Sequence, residues 1–353
     1  MEKTNFIYGD EKKFYDFMGN LIDKDRIAIL SHKDLDGIIS ALAIEKLVGK
    51  AEVIEFLSYS KNMLFDFISK FKKKKINKAI FLDICLEAEE ENLKEISKFS
   101  EILIIDHHKW NKNMNSDRIS FLLSEQKDCP SFVSYMLVNK SQNIEDIDFL
   151  AAIAVISDYV SGFHKDFIEK IEKKYNLKRD KDDFNSDLGK MMAILSNSQT
   201  YFANDKKNKF YNLIKGIKKL EDIQKFKKYS LEVEKELDRI REDFNKNKEE
   251  YSWGYYFVFE KKFAVSSLIS SSLSMENPNK LYITLSDSIS KENQMDVNAR
   301  NQSQKYNCSD VLKKAVLGLE NGNAGGHVPA AGGQIMKKDM GKFKQKLLGV
   351  LGK

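Results

Sequence analysis

Three short aliphatic runs constrain what this chain can fold into: residues 26–30 (RIAIL), 79–82 (AIFL) and 102–105 (ILII). Each is too short for a buried helix and continuous enough for a strand covered on both faces. Helical patterns separate them, over residues 37–48, 63–71 and the Glu-rich 87–98, with a further strand expected at 52–57. Strands alternating with helices at this pitch predict βαβ units. The first 160 or so residues therefore read as an α/β domain, a mainly parallel sheet with flanking helices.

Chemistry-bearing residues stand at the end of each run. His32 comes after the first, Asp83 after the second and Asp106 after the third. In an open α/β sheet the carboxyl ends of the strands form the ligand-binding edge, so segments distant in sequence should converge on one crevice. The first cluster reads His32-Lys33-Asp34-Leu35-Asp36-Gly37 and the third Asp106-His107-His108, while Asp158 ends the Ala- and Ile-rich helical stretch 151–158. Imidazole and carboxylate together suit a borderline divalent cation such as Mn²⁺, and no cysteine stands where a thiolate ligand would. His32, Asp34, Asp36, Asp83, Asp106, His107 and Asp158 are enough for two ions. Two ions roughly 3.5–4 Å apart activate water and stabilise charge on a phosphoryl group.

Plainer readings exist for single members. Asp34 and Asp36 fit a loop that caps a helix, and a polar residue after a strand, like Asp83, is ordinary. Asp106-His107-His108 directly after four aliphatics is different, because unpartnered polar groups there would be costly. The conjunction of all four clusters points to a metal site that handles phosphate.

Beyond residue 165 the chain is rich in Lys, Glu and Asn. Ile223, Phe226, Leu231, Val233, Leu237 and Ile240 give residues 220–244 the spacing of a long connecting helix, its lysines a solvated face. After Trp253 the pattern turns to strands, expected at 255–259, 262–265 and 281–285. The stretch 322–333 packs Gly325, Gly326 and His327 among small residues that let backbone approach an anion. Upstream, Arg300 and Asn301 suit forked phosphate recognition. The organisation expected is a catalytic domain at 1–200, a helical connector at 201–250 and a smaller α/β domain with a mixed sheet at 251–353. Trp110, Tyr255 and Tyr256 are candidates for stacking on bases, although aromatics of this kind are more commonly core.

Composition narrows the setting. A net charge of +5 fits an anionic substrate without requiring one. Cys85, Cys129 and Cys308 lie far apart with no C-x-x-C spacing, which argues against a disulfide framework and for a reducing compartment. No run approaches the roughly 18 apolar residues of a membrane span, and no apolar leader opens the chain. A cytoplasmic protein with no membrane association is expected.

In order and spacing, these motifs resemble the DHH phosphoesterase superfamily, which includes RecJ-type single-strand exonucleases, nanoRNases, cyclic dinucleotide phosphodiesterases and family II pyrophosphatases. The H-x-D-x-D form of the first motif looks most like the archaeal RecJ-like group. The resemblance implies that His32 and Asp34 hold one metal and Asp36, His107 and Asp158 the other, with Asp83 bridging. It also implies that His108 contacts the scissile phosphate and that Asp106 orients its neighbours or the water. Gly325-Gly326-His327-Val328-Pro329-Ala330-Ala331-Gly332, with Arg300 before it, resembles the DHH-associated substrate-binding domain, although Asn323-Ala324 stands where many relatives have further glycine. Pyrophosphatases carry a different C-terminal domain. The activity implied is a two-ion, Mn²⁺-dependent (or Mg²⁺-dependent) exonuclease on single-stranded DNA, RNA or short oligonucleotides, releasing nucleoside 5′-monophosphates. The alternatives are an enzyme for cyclic dinucleotides or 3′-phosphoadenosine 5′-phosphate, and a replication or repair subunit with protein partners.

Overall fold

The computed structural model describes residues 4–59, 62–203, 208–289 and 291–352. The chain divides into two units, Met1–Gln199 with Lys206–Lys227, and Thr200–Asp205 with Lys228–Lys353.

The first unit runs β1 (Phe6–Tyr8), α1 (Glu11–Gly19), β2 (Ile27–His32), α2 (Leu35–Val48), β3 (Val53–Leu57), α3 (Phe65–Lys74) and β4 (Lys78–Leu82). It continues with α4 (Glu90–Ser97), β5 (Glu101–Asp106), β6 (Ile119–Ser124), α5 (Pro130–Ser141), α6 (Asp148–Ser157), α7 (Lys165–Lys174), most of α8 (Asp187–Tyr201) and α9 (Lys209–Lys215). Its sheet has the order β1-β6-β5-β4-β2-β3, parallel except for the β1–β6 pair. The predicted parallel α/β architecture is present, and the aliphatic runs are its central strands.

Alternation along those strands divides their side chains between two cores. Ala28, Leu30, Ala79, Phe81, Ile102 and Ile104 pack with Phe71 of α3 and with Leu93 and Ile96 of α4. Ile29, Ile80, Leu103 and Ile105 point the other way and are as fully buried. Helices α2 and α6 are apolar nearly all round, as central helices must be. From β2 the chain moves outward to β3, then returns to the other side of β2 as β4. That reversal opens a crevice beyond the carboxyl ends of β2 and β4, where such sheets bind ligands.

The second unit begins with most of α10 (Lys227–Asn247), whose Val233, Ile240 and Phe244 are buried against Phe257, Phe259, Ile269 and Tyr282. The helix expected from residue 220 is preceded by a 3₁₀ turn, Leu220–Phe226. Then come β7 (Glu249–Tyr251), β8 (Gly254–Phe259), α11 (Ser266–Glu276), β9 (Leu281–Asp287), β10 (Gln294–Arg300), α12 (Cys308–Val316), β11 (Asn323–Gly326), β12 (Ala330–Met336) and α13 (Met340–Leu351). The sheet order is β11-β12-β10-β9-β8-β7, with β8–β9 parallel and the other pairs antiparallel. This is the mixed sheet anticipated. The strand expected at 262–265 is absent: these residues form the loop into α11, closed by Val265 N–H donating to the Phe263 carbonyl. Val265 is buried as a helix-packing residue, so its β-branched character misled. The glycine-rich stretch 322–333 spans β11 and the first residues of β12, which pair as an antiparallel hairpin.

Candidate metal centre

His32 is the last residue of β2, and the chain turns at once into α2. Asp34 caps that helix: its Oδ1 accepts from Gly37 N–H at 3.0 Å, while its Oδ2 lies 2.7 Å from His32 Nδ1. The capping role considered from sequence therefore exists, and the same carboxylate also orients the histidine. A Cβ at Gly37 would sit 2.3 Å from the His32 carbonyl oxygen, so only glycine lets the helix start this close to the strand end. In the first turn of α2, Asp36 is 2% exposed and accepts from Ser131 N–H at the start of α5, at 2.8 Å.

Asp83 follows β4 with φ of 57°, a left-handed conformation that Asp tolerates better than most residues. Its N–H still continues the ladder to Ile105 O. The carboxylate is 2% exposed and its two oxygens face different histidines: Oδ2 is 3.6 Å from His32 Nδ1, and Oδ1 is 3.7 Å from His107 Nε2. His107 Nδ1 is 3.6 Å from Oδ2 of Asp158, the residue that ends α6.

Three groups of donors therefore lie within 4.8 Å of one another: His32, Asp34 and Asp83; Asp36, His107 and Asp158; and Asp83, His107 and His108. Among the described residues, Asp36 Oδ2, Asp83 Oδ2, His107 Nδ1 and Asp158 Oδ2 are buried without a hydrogen-bond partner. Leaving four such atoms unpaired is costly, and divalent cations would satisfy all of them. The mixed imidazole and carboxylate set is the type that takes Mn²⁺ or Mg²⁺.

Residues 26–157, which run from the start of β2 to the end of α6, match the model of the DHH family, N-terminal domain. This part of the chain is similar to a DHH domain. Among the solved structures that share the wider fold are these three. Exonuclease RecJ bound to manganese superposes with a TM-score of 0.69 at 12% identity, over 99% of this chain and 95% of that one. RecJ from Thermus thermophilus with Mn²⁺ gives 0.65 at 12%, over 99% of this chain but 55% of the RecJ chain. An exopolyphosphatase-related protein from Bacteroides fragilis gives 0.52 at 16%, over 96% and 95%. No curated protein matches the chain at the sequence level. The family match across the site and the RecJ-like fold support a DHH phosphoesterase.

Electrostatics within the centre are dominated by crowded carboxylates. Burial, then the charges of Asp158 and Asp34, pushes the Asp36 carboxyl well above its usual range. Burial, then Asp36 and Asp34, does the same to Asp83. Asp158 is raised to about 7 by burial and the Asp34 charge. His107 falls to about 4 because it is buried beside His108, so it stays neutral and free to ligate. Asp106 goes the other way. Its burial is outweighed by His108, whose Nδ1 lies 2.7 Å from Asp106 Oδ1, and by the Trp110 indole N–H on Oδ2.

Trp110 is 7% exposed and serves as that donor, while Tyr256 is 2% exposed, so neither offers a face to a base. Tyr59 carried no sequence signal. Its hydroxyl lies 3.1 Å from His108 Nε2 and accepts from Cys85 N–H at 3.1 Å, and its ring packs 5.4 Å from that of His32. Only its position two residues after β3, at the same sheet edge, marked it. His164, the histidine outside the clusters, is buried on Phe132 with Nε2 2.8 Å from the Lys127 carbonyl oxygen.

In the second unit, Arg300 ends β10, paired in register with Ala330. Its guanidinium donates to the carbonyls of Ala299 and Ala331 and to the hydroxyls of Ser267 and Ser271. Asn301 is fully buried, donating to the Pro278 and Lys280 carbonyls and accepting from Tyr306 N–H. Gly325, Gly326 and His327 are exposed at the tip of the β11–β12 hairpin. Gly326 has φ of 141°, and a Cβ there would lie 2.5 Å from the Ala330 carbonyl oxygen.

Proposed function

We propose that this chain is a two-metal phosphodiesterase that trims single-stranded DNA, RNA or short oligonucleotides from an end, releasing nucleoside 5′-monophosphates. The observation that supports it is the convergence of four buried, unpartnered donor atoms on one crevice of a DHH-like domain. His32 and Asp34 would hold one ion and Asp36, His107 and Asp158 the other, with Asp83 offering one oxygen to each side. Bound Mn²⁺, or Mg²⁺, would supply an activated water and neutralise charge developing on the phosphoryl group.

The chain's own residues do the rest. Asp106 and the Tyr59 hydroxyl fix the His108 ring, which we assign to contact with a phosphate oxygen. Asp34 and Ser131 N–H orient His32 and Asp36. In the second unit, Arg300, Gly325, Gly326 and His327 are the residues we assign to substrate, and Asn301 braces the loop that follows Arg300. The test is incubation of the purified protein with Mn²⁺ and end-labelled single strands of several lengths. Release of mononucleotides is expected; no release at any length would sink the reading.

A second reading is favoured by the fold shared with the exopolyphosphatase-related protein: a phosphoesterase for small or polymeric phosphates without bases. Turnover of inorganic polyphosphate in preference to oligonucleotides would select it.

A further inference from the structure

Directly after Asp158 the first unit carries aromatic surface that its core does not use. Tyr159 is 79% exposed and has φ of 61°, a left-handed conformation that is unfavourable for a bulky residue. Its ring lies 5.2 Å from that of Phe184, itself 39% exposed, and Phe163, four residues on, is 67% exposed. Exposed apolar residues scattered singly need no explanation, but an aromatic pair whose first member directly follows Asp158 in the chain does.

Both members of the pair are held in place. Tyr159 N–H donates to Ile156 O, and Val160 N–H reaches back to Val155 O, closing the end of α6. The Phe184 turn is fixed by the Asp182 carboxylate, which accepts from Phe184 N–H at 3.1 Å and from the Asn185 side chain. Gly189 passes so close beneath it that a Cβ would lie 2.5 Å from the Phe184 carbonyl oxygen. A rigid, exposed aromatic face loses little freedom on binding a flat partner. Inorganic phosphate chains offer nothing to such a face, whereas every nucleobase does.

We infer that Tyr159 and Phe184 form a stacking platform for one base of a single-stranded substrate, placed by its backbone link to Asp158 at the border of the metal centre. This rests on the phosphodiesterase reading above and deepens it, because it assigns a base-bearing substrate to the site. The platform reads the flat face of the base without hydrogen bonds, so it is indifferent to which base arrives.

The experiment uses a hydrolysis-resistant phosphorothioate strand carrying 2-aminopurine at one end or the other, with the full-length protein and Mn²⁺. Binding by the unaltered protein should quench the fluorophore at one of the two ends. Tyr159→Ala and Phe184→Ala should each abolish the quench and weaken binding of the strand by about 5- to 150-fold. Their affinity for a strand made abasic at that end should not change further, and Tyr159→Trp should restore the quench. Because Tyr159 adjoins Asp158, the Phe184→Ala result separates stacking from disturbance of that carboxylate. No quench at either end, a quench that survives both alanine variants, or equal weakening for intact and abasic strands would overturn the inference. Mononucleotide release from an unmodified strand by the unaltered protein reports separately on hydrolysis. Release without quenching sinks the platform alone, and quenching without release sinks the hydrolytic reading alone.

Discussion

The hydroxyl of Tyr59 lies 3.1 Å from Nε2 of His108, while Nδ1 of the same ring lies 2.7 Å from Asp106 Oδ1. Both ring nitrogens are thus engaged, one by a buried carboxylate and one by a phenol that burial keeps protonated. Tyr59→Phe removes the hydrogen bond to His108 and the one accepted from Cys85 N–H, and leaves the ring on His32. We predict a fall in kcat of about 2- to 12-fold, the worth of the single hydrogen bond made to His108. The thermal shift produced by Mn²⁺ should be unchanged, which steady-state kinetics and melting curves together would check.

Asp83→Asn tests the shared carboxylate. Turnover should fall by about 100-fold or more, beyond the loss typical of residues that merely support a metal ligand. The metal-free variant should nevertheless melt higher than the parent at pH 8, because an acid that burial and Asp36 hold above its usual range has been replaced by a neutral amide. The stabilisation by Mn²⁺ should disappear. A lower metal-free melting temperature would refute the electrostatic account.

The pH dependence of the metal-free protein has a definite sign. Asp158 stands at about 7 in the folded chain against a reference of 3.8, so the fold binds a proton that the unfolded chain releases. Its stabilising contribution is complete below the reference value and is lost as pH rises through 7; Asp36 and Asp83 act in the same direction. Melting in EDTA should show a loss of about 1–3 kcal/mol between pH 6 and 8. Saturating Mn²⁺ should flatten this slope, and its stabilising effect should grow with pH as it displaces protons.

Gly37→Ala should destabilise the fold by about 1–3 kcal/mol, as overpacking does, because the added methyl meets the His32 carbonyl. Weaker Mn²⁺ binding should accompany it, since His32 and Asp34 move with that junction. Gly19→Ala, where the added carbon meets nothing within 4 Å, is the control.

The run Lys72-Lys73-Lys74-Lys75 is partly neutralised by acidic partners. Lys72 pairs with Glu95, and Lys74 with Glu52. Replacing Lys72 and Lys74 by alanine should leave the salt dependence of oligonucleotide binding within experimental error, as expected for charges already neutralised locally.

The strands of the first unit were legible because a sheet covered on both faces demands unbroken aliphatic runs, and few other structures do. Their carboxyl-end residues were legible for the same reason, since His32, Asp83 and Asp106 interrupt that demand. Strands β1 and β6 were missed. The first is three residues long, and in the second Ser120 breaks the run. The strand expected at 262–265 failed because β-branched residues also serve helix packing. Tyr59 and Tyr159 lay beyond periodicity altogether: an aromatic reveals its partner ring only when the chain has been folded. Asn301 looked like a ligand-facing amide and is instead fully buried, because sequence does not distinguish an amide that binds substrate from one that ties a loop.

The donors of the centre come from the ends of β2, β4, β5 and α6 and the start of α2, and the strands that carry them are joined only through helices and an outlying strand. During synthesis, His32 emerges long before Asp158, and the donor set is complete only when the parallel sheet has closed and α6 has docked. A metal ion therefore cannot template this fold in the way it templates a small finger domain. It can only lock a scaffold already assembled, so removal by chelation should release the ion without unfolding the protein.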